Sequence, residues 1–150
     1  MKPRTAAIVA VIALGTAALT PMTPLAHAEA SNPAVKERIA LMGEIRGNFA
    51  VIGGMAQGRV DFDAAKAEEA QAALAAAAAM IPEKFEPQET DPESEASPAI
   101  WEDWDQFTAI AAQLEQAALA LDVSSLDGIK AGFGSVGGNC GACHKAFRVE

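Results

Sequence analysis

Apolar residues recur along this chain in alternating steps of three and four, over four long stretches, and nowhere in a sustained step of two. Steps of three and four stack side chains on one face of a helix, so the pattern predicts four amphipathic helices and no sheet. Helix A is expected to open at Ser31-Asn32-Pro33, a capping residue ahead of a proline at the first helical position. Its apolar stripe is Val35, Ile39, Met42, Ile45, Phe49 and Ile52, fading near Gly53-Gly54 or Gly58. Helix B is expected from Asp61 or Asp63 to Met80-Ile81, stopped by Pro82. It is alanine-rich from Ala64 to Ala79, which favours helix and lets a neighbour approach closely. Helix C is expected with Ser97 as cap and Pro98 first, carrying Ile100, Trp104, Phe107, Ala111, Leu114, Ala118 and Leu121. That spacing is close to the repeat of about 3.5 residues that packs helices side by side. Helix D is expected from Ser124 or Ser125, with Leu126, Ile129, Phe133, Val136, Cys140, Cys143 and Phe147 on its stripe.

Between helices B and C, residues 82–98 carry Pro82, Pro87, Pro92 and Pro98 together with Glu83, Glu86, Glu89, Asp91, Glu93 and Glu95. Such a segment cannot sustain a helix and reads as a solvated, acidic crossover. Four amphipathic helices with one long connection make an all-α, antiparallel four-helix bundle.

Helix D carries the chemistry. Cys140-Gly141-Ala142-Cys143-His144 is the spacing that attaches haem covalently, each thiol adding to one vinyl group and the adjacent imidazole facing the iron. A thioredoxin-like thiol pair would need a strand and a βαβ context, which the pattern lacks. A zinc site needs about four ligands. The chain holds two Cys and two His, and the second His, His27, lies in the N-terminal segment discussed next. Both Cys fall on the buried stripe with His144 one residue aside, so one covalent haem c is expected inside the bundle, against its last helix. Six glycines from Gly128 to Gly141 weaken that helix, each by about 1 kcal/mol relative to alanine. A flat macrocycle lying against Gly137 and Gly141 would account for two of them, and a locally loose helix accounts for them equally.

Residues 1–28 have the form of a cleaved secretory signal: Lys2 and Arg4, an apolar run from Ala6 to Thr20, then Ala26-His27-Ala28. The run is short for a membrane span, so no stable span is expected after cleavage, and the periplasm is the expected destination. A single domain at 29–150 remains. Loss of Lys2 and Arg4 takes the net charge from −9 to −11. That charge argues against nucleic acid or an anionic membrane as partner; it keeps an exported protein soluble, and it would also suit a redox partner protein with a basic docking face. Removal of His27 leaves His144 as the only histidine, so neither a second histidine ligand nor a distal acid–base histidine is available. No enzymatic activity is expected.

A haem motif at the C-terminal end of a four-helix chain resembles the cytochrome c′ family, the class II c-type cytochromes. The ending Cys140-Gly-Ala-Cys143-His144-Lys-Ala-Phe147-Arg148 is similar to that family's, as are Arg38-x-x-x-Met42 and Pro98-x-Ile100-Trp101. The likeness covers most of residues 33–148. It implies thioethers at Cys140 and Cys143, the proximal iron bond at His144, and Arg148 beside the proximal face. It also implies Arg38 near a haem propionate, and a buried cation on the apolar face of helix A does need a partner. Met42 takes the distal place in the likeness, and two outcomes stay open. If it only packs over the iron, the haem is five-coordinate or weakly occupied and binds NO or CO, the pocket of Met42, Ile45 and Phe49 lacking an obvious donor for O₂. If it ligates, the protein resembles the low-spin cytochromes c-556, six-coordinate electron carriers. A homodimer through helices A and B and a monomer with a polar outer face fit the pattern equally.

Overall fold

The computed structural model describes residues 29–149; the expected leader, residues 1–28, lies outside the described residues. Among the described residues six helices run in order: α1 (Pro33–Ala56), α2 (Ala64–Ala79), α3 (Ile81–Phe85), α4 (Ala99–Glu102), α5 (Trp104–Leu119) and α6 (Leu126–Phe147). The four long ones form the bundle: α1 packs on α2, α2 on α5, α5 on α6, and α6 closes back on α1. Gly53 faces Phe133 while Phe49 faces Gly137, so α1 and α6 run antiparallel. The antiparallel four-helix bundle expected from the apolar pattern is the observed fold.

Side-chain caps set where the long helices start. Asn32 Oδ1 accepts from the Ala34 and Val35 amides ahead of α1, Asp63 Oδ1 from Lys66 ahead of α2, and Ser125 Oγ from Gly128 ahead of α6. Each satisfies an amide with no partner inside the helix. Two expectations need correction. Pro82 does not simply end helix B: it sits in the first turn of α3, where a missing N–H costs nothing. Helix C is split, because Asp103 (φ −130°, ψ 59°) leaves helical geometry and its carboxylate caps α5. The seam predicted for helix C survives the break, with Ile100, Phe107, Ala111, Leu114, Ala118 and Leu121 all buried. On α1 the stripe is shifted: Ile39 is 49% exposed, while Arg38 and Leu41 are buried.

The acidic connection is exposed, yet it is stitched to three elements and forms a strap (residues 86–98). Asp91 Oδ2 accepts from the Ser31 amide at 2.8 Å, the Ser31 hydroxyl at 2.9 Å and the Asn32 amide at 2.9 Å. At its other end the strap pairs with the C-terminal tail in a short antiparallel bridge, Ala96 opposite Arg148. The amides of Glu93 and Asn32, and the Ser31 groups, hold the Asp91 carboxyl well below the usual carboxylate range. The sign follows from linkage. A depressed folded-state pKa stabilises above the unfolded value near about 4, and that contribution disappears as pH falls further. Asp91→Asn is therefore expected to lower the urea midpoint at pH 7, and the gap to the parent should narrow below about pH 4. A gap that is constant from pH 7 to pH 3 would show that the charge is not what holds the strap.

Candidate functional site

The middles of α1 and α6 are in close contact. Phe49 and Phe133 stack with centroids 4.3 Å apart and planes 3° from parallel. A Cβ on Gly53 would lie 2.8 Å from Phe133 Cζ, so only glycine lets the backbone come this near the ring. Toward the start of α1 and the end of α6, a cavity of about 480 Å³ lies between them, bounded also by α3, the strap, α4 and α5. Phe107 holds the far end of α6, meeting Phe147 edge-on at 5.4 Å while touching Phe85 and Trp104 at 5.2 and 5.5 Å.

All six residues singled out from the sequence border this one cavity: Arg38 and Met42 from α1, Cys140, Cys143 and His144 from α6, and Arg148 just after it. The two cysteines are half-buried free thiols, and His144 is exposed at the cavity edge. Burial pushes both thiols up, with the neighbouring Cys140 adding to the effect at Cys143, so both stay protonated at neutral pH. Met42 is partly buried and packs against the core. Around it the α1 wall is Ile39, Gly43, Ile45 and Phe49, with Arg46 exposed at the rim.

Arg38 departs from expectation. Its guanidinium was expected to need a propionate, but the structure gives it three main-chain carbonyls. Nε donates to Lys84 O at 3.0 Å, Nη1 to Glu89 O at 2.9 Å, and Nη2 to Pro87 O. Phe85 and Trp101 flank it, with centroids 5.3 and 5.2 Å from Cζ, and the Trp101 indole donates to Phe85 O. Desolvation lowers its pKa and the Glu89 charge opposes that, yet a guanidinium stays protonated throughout. A fork with five donors that has committed three to the strap is a structural clamp first. A Cβ on Gly137 would lie 3.3 Å from Phe49 Cζ, whereas one on Gly141 would meet nothing within 4 Å. One contributor carries no sequence signal: Glu95, an exposed residue in a run of acids, pairs with Arg148 at 2.6 Å. Phe133, on the stripe expected for helix D, stacks on Phe49, which lines the cavity.

The donor set suits haem c. Two thiols one helical turn apart and one imidazole converge on a largely apolar hollow within the usual size of cofactor pockets. Among the described residues no group of three His, Cys, Asp or Glu could hold a bare metal ion.

Comparison with known proteins gives the same direction. The family model described as Cytochrome C′ matches residues 33–148. A cytochrome c-556 of Agrobacterium tumefaciens (strain apple 185) is 35% identical over 116 residues, which span 75% of this chain and 92% of the relative. Cytochrome c′ of Rhodopseudomonas palustris (strain ATCC BAA-98 / CGA009) is 31% identical over 153 residues, spanning 100% and 99%. The nitric oxide complex of a variant cytochrome c prime from Alcaligenes xylosoxidans superimposes with a TM-score of 0.71 at 29% identity, over 81% of this chain and all of that one.

Proposed function

The chain belongs to the cytochrome c′ family and carries covalent haem c, and on that premise we propose that it is an exported protein whose single haem passes electrons or holds NO or CO. When bound, the haem supplies an iron that changes oxidation state and takes neutral diatomic ligands. In this reading Cys140 and Cys143 form the thioethers, and His144 holds the iron from the α6 side. Residues 1–28 are the leader that delivers the mature domain, 29–150, to the periplasm. The net charge of −11 after its loss suits a redox partner with a basic face. No enzymatic reaction is assigned, because the mature chain has no histidine beyond His144 to move protons.

One observation carries the choice of chemistry: the α1 wall of the cavity that His144 borders is apolar around Met42, and three of the five donors of Arg38 are committed to main-chain carbonyls of residues 84–89. A wall without an engaged donor favours NO and CO over O₂, which depends on polar stabilisation. The cytochrome c-556 relatives favour a second reading, an electron carrier with the Met42 thioether as sixth ligand. Ferric and ferrous absorption spectra with and without CO separate the two. An open iron gives a high-spin spectrum that CO shifts, and Met42→Ala then changes CO affinity by less than about tenfold. If CO binds only after Met42→Ala, the second reading holds. If no haem absorbance appears after periplasmic expression with the maturation system present, both readings are overturned.

A further inference from the structure

The strap clasps the end of α6 beside His144. Ser97 N donates to Phe147 O and Val149 N to Glu95 O, both at 2.9 Å, which fixes the backbones on either side of the Ala96–Arg148 bridge. Across it Arg148 Nη2 donates to Glu95 Oε2 at 2.6 Å. Glu95, Arg148 and His144 all border the haem cavity. The pair is exposed, with side chains 62% and 48% accessible, and such pairs contribute little to stability. Its effect is instead conformational. With both backbones fixed, the carboxylate selects one position for a long, flexible guanidinium. Arg148 lies in extended backbone (φ −111°, ψ 138°) just past the end of α6, four residues after His144, and both residues border the cavity, so an unpaired guanidinium is free to turn into the cavity that the imidazole borders.

We propose that Glu95 is a positioning residue. It holds the Arg148 guanidinium on the strap and thereby sets how much positive charge reaches the proximal side of the haem. This rests on the reading of His144 as the proximal ligand. A cation nearer the iron favours the electron-richer reduced form, so release of Arg148 raises the midpoint potential. Deleting the Glu95 charge raises it as well in any arrangement, and a double-mutant cycle separates the two effects.

The test is a redox titration of the haem-loaded full chain in four forms: parent, Glu95→Gln, Arg148→Gln and the double variant. Glu95→Gln should raise the potential roughly twofold more when Arg148 is present than in the Arg148→Gln background. Equal shifts in the two backgrounds would mean that Glu95 acts only through its own charge, and would overturn the proposal. Glu95→Asp keeps the charge but withdraws the carboxylate from the 2.6 Å contact. It should also raise the potential, and an unchanged value counts against positioning even if Glu95→Gln folds poorly. Thermal melts should coincide for all four forms, since the pair is not a stability element. A parent chain without haem absorbance overturns the cavity reading and this one with it, whereas a haem spectrum with equal shifts overturns this one alone.

Discussion

Replacing Cys140 and Cys143 together with alanine yields a chain with no covalently held haem and no cooperative unfolding transition. The cavity volume sets the expected size of this effect. A void in a packed interior costs about 24 cal/mol per Å³. The cavity here is about 480 Å³, so leaving it unfilled costs on the order of 10 kcal/mol, comparable with the whole stability of an ordinary domain. The cavity opens partly to water, which reduces that figure. Either cysteine alone can still tether the macrocycle, so the single variants should keep haem through denaturing electrophoresis and the double variant should lose it. Far-UV dichroism of the double variant should retain much of its helix while near-UV signals of Trp101 and Trp104 flatten, the signature of a chain that has kept its helices and lost its packing. A double variant that unfolds cooperatively at the parent's midpoint would mean that the protein, not the haem, fills and fixes this end of the bundle.

Local features were the ones legible from sequence. Asn32, Asp63 and Ser125 announce helix starts because a cap acts within three residues of itself. The Cys140–His144 group announces its cofactor because attachment needs a single turn of chain. The seam from Ile100 to Leu121 was readable through its periodicity even though Asp103 interrupts the helix. What was not legible depends on groups far apart in sequence or without side-chain identity. Arg38 reaches carbonyls 46 to 51 residues away, in a segment whose prolines and acids indicate only irregular backbone. Every residue has a carbonyl, so nothing in the composition says that three of them converge on one guanidinium. Glu95 is likewise one acid among many until the Ala96–Arg148 bridge brings it to its partner.

Substitution of Arg38 tests whether that convergence holds the strap. Arg38 is 3% exposed. Arg38→Met keeps much of its volume and leaves the carbonyls of Lys84, Pro87 and Glu89 without their donors. A fully buried carbonyl left unpaired costs about 1–3 kcal/mol, these part-buried ones less, and the lost stacking on Phe85 and Trp101 adds about 0.5–2 kcal/mol. Water entering near the exposed strap relieves part of this, so the expected loss is about 3–5 kcal/mol in urea unfolding of the haem-loaded protein. Amides tied down at the strap, Ser97 and Val149, should exchange with solvent faster than those of α2. Arg38→Lys discriminates between the clamp and a propionate partner. A lysine ammonium is a point charge that would serve a propionate well, but it cannot span three carbonyls arranged around a planar fork. The clamp therefore predicts that Arg38→Lys loses most of what Arg38→Met loses, with haem still attached. Near-complete rescue by lysine would return Arg38 to the haem and remove it from the strap.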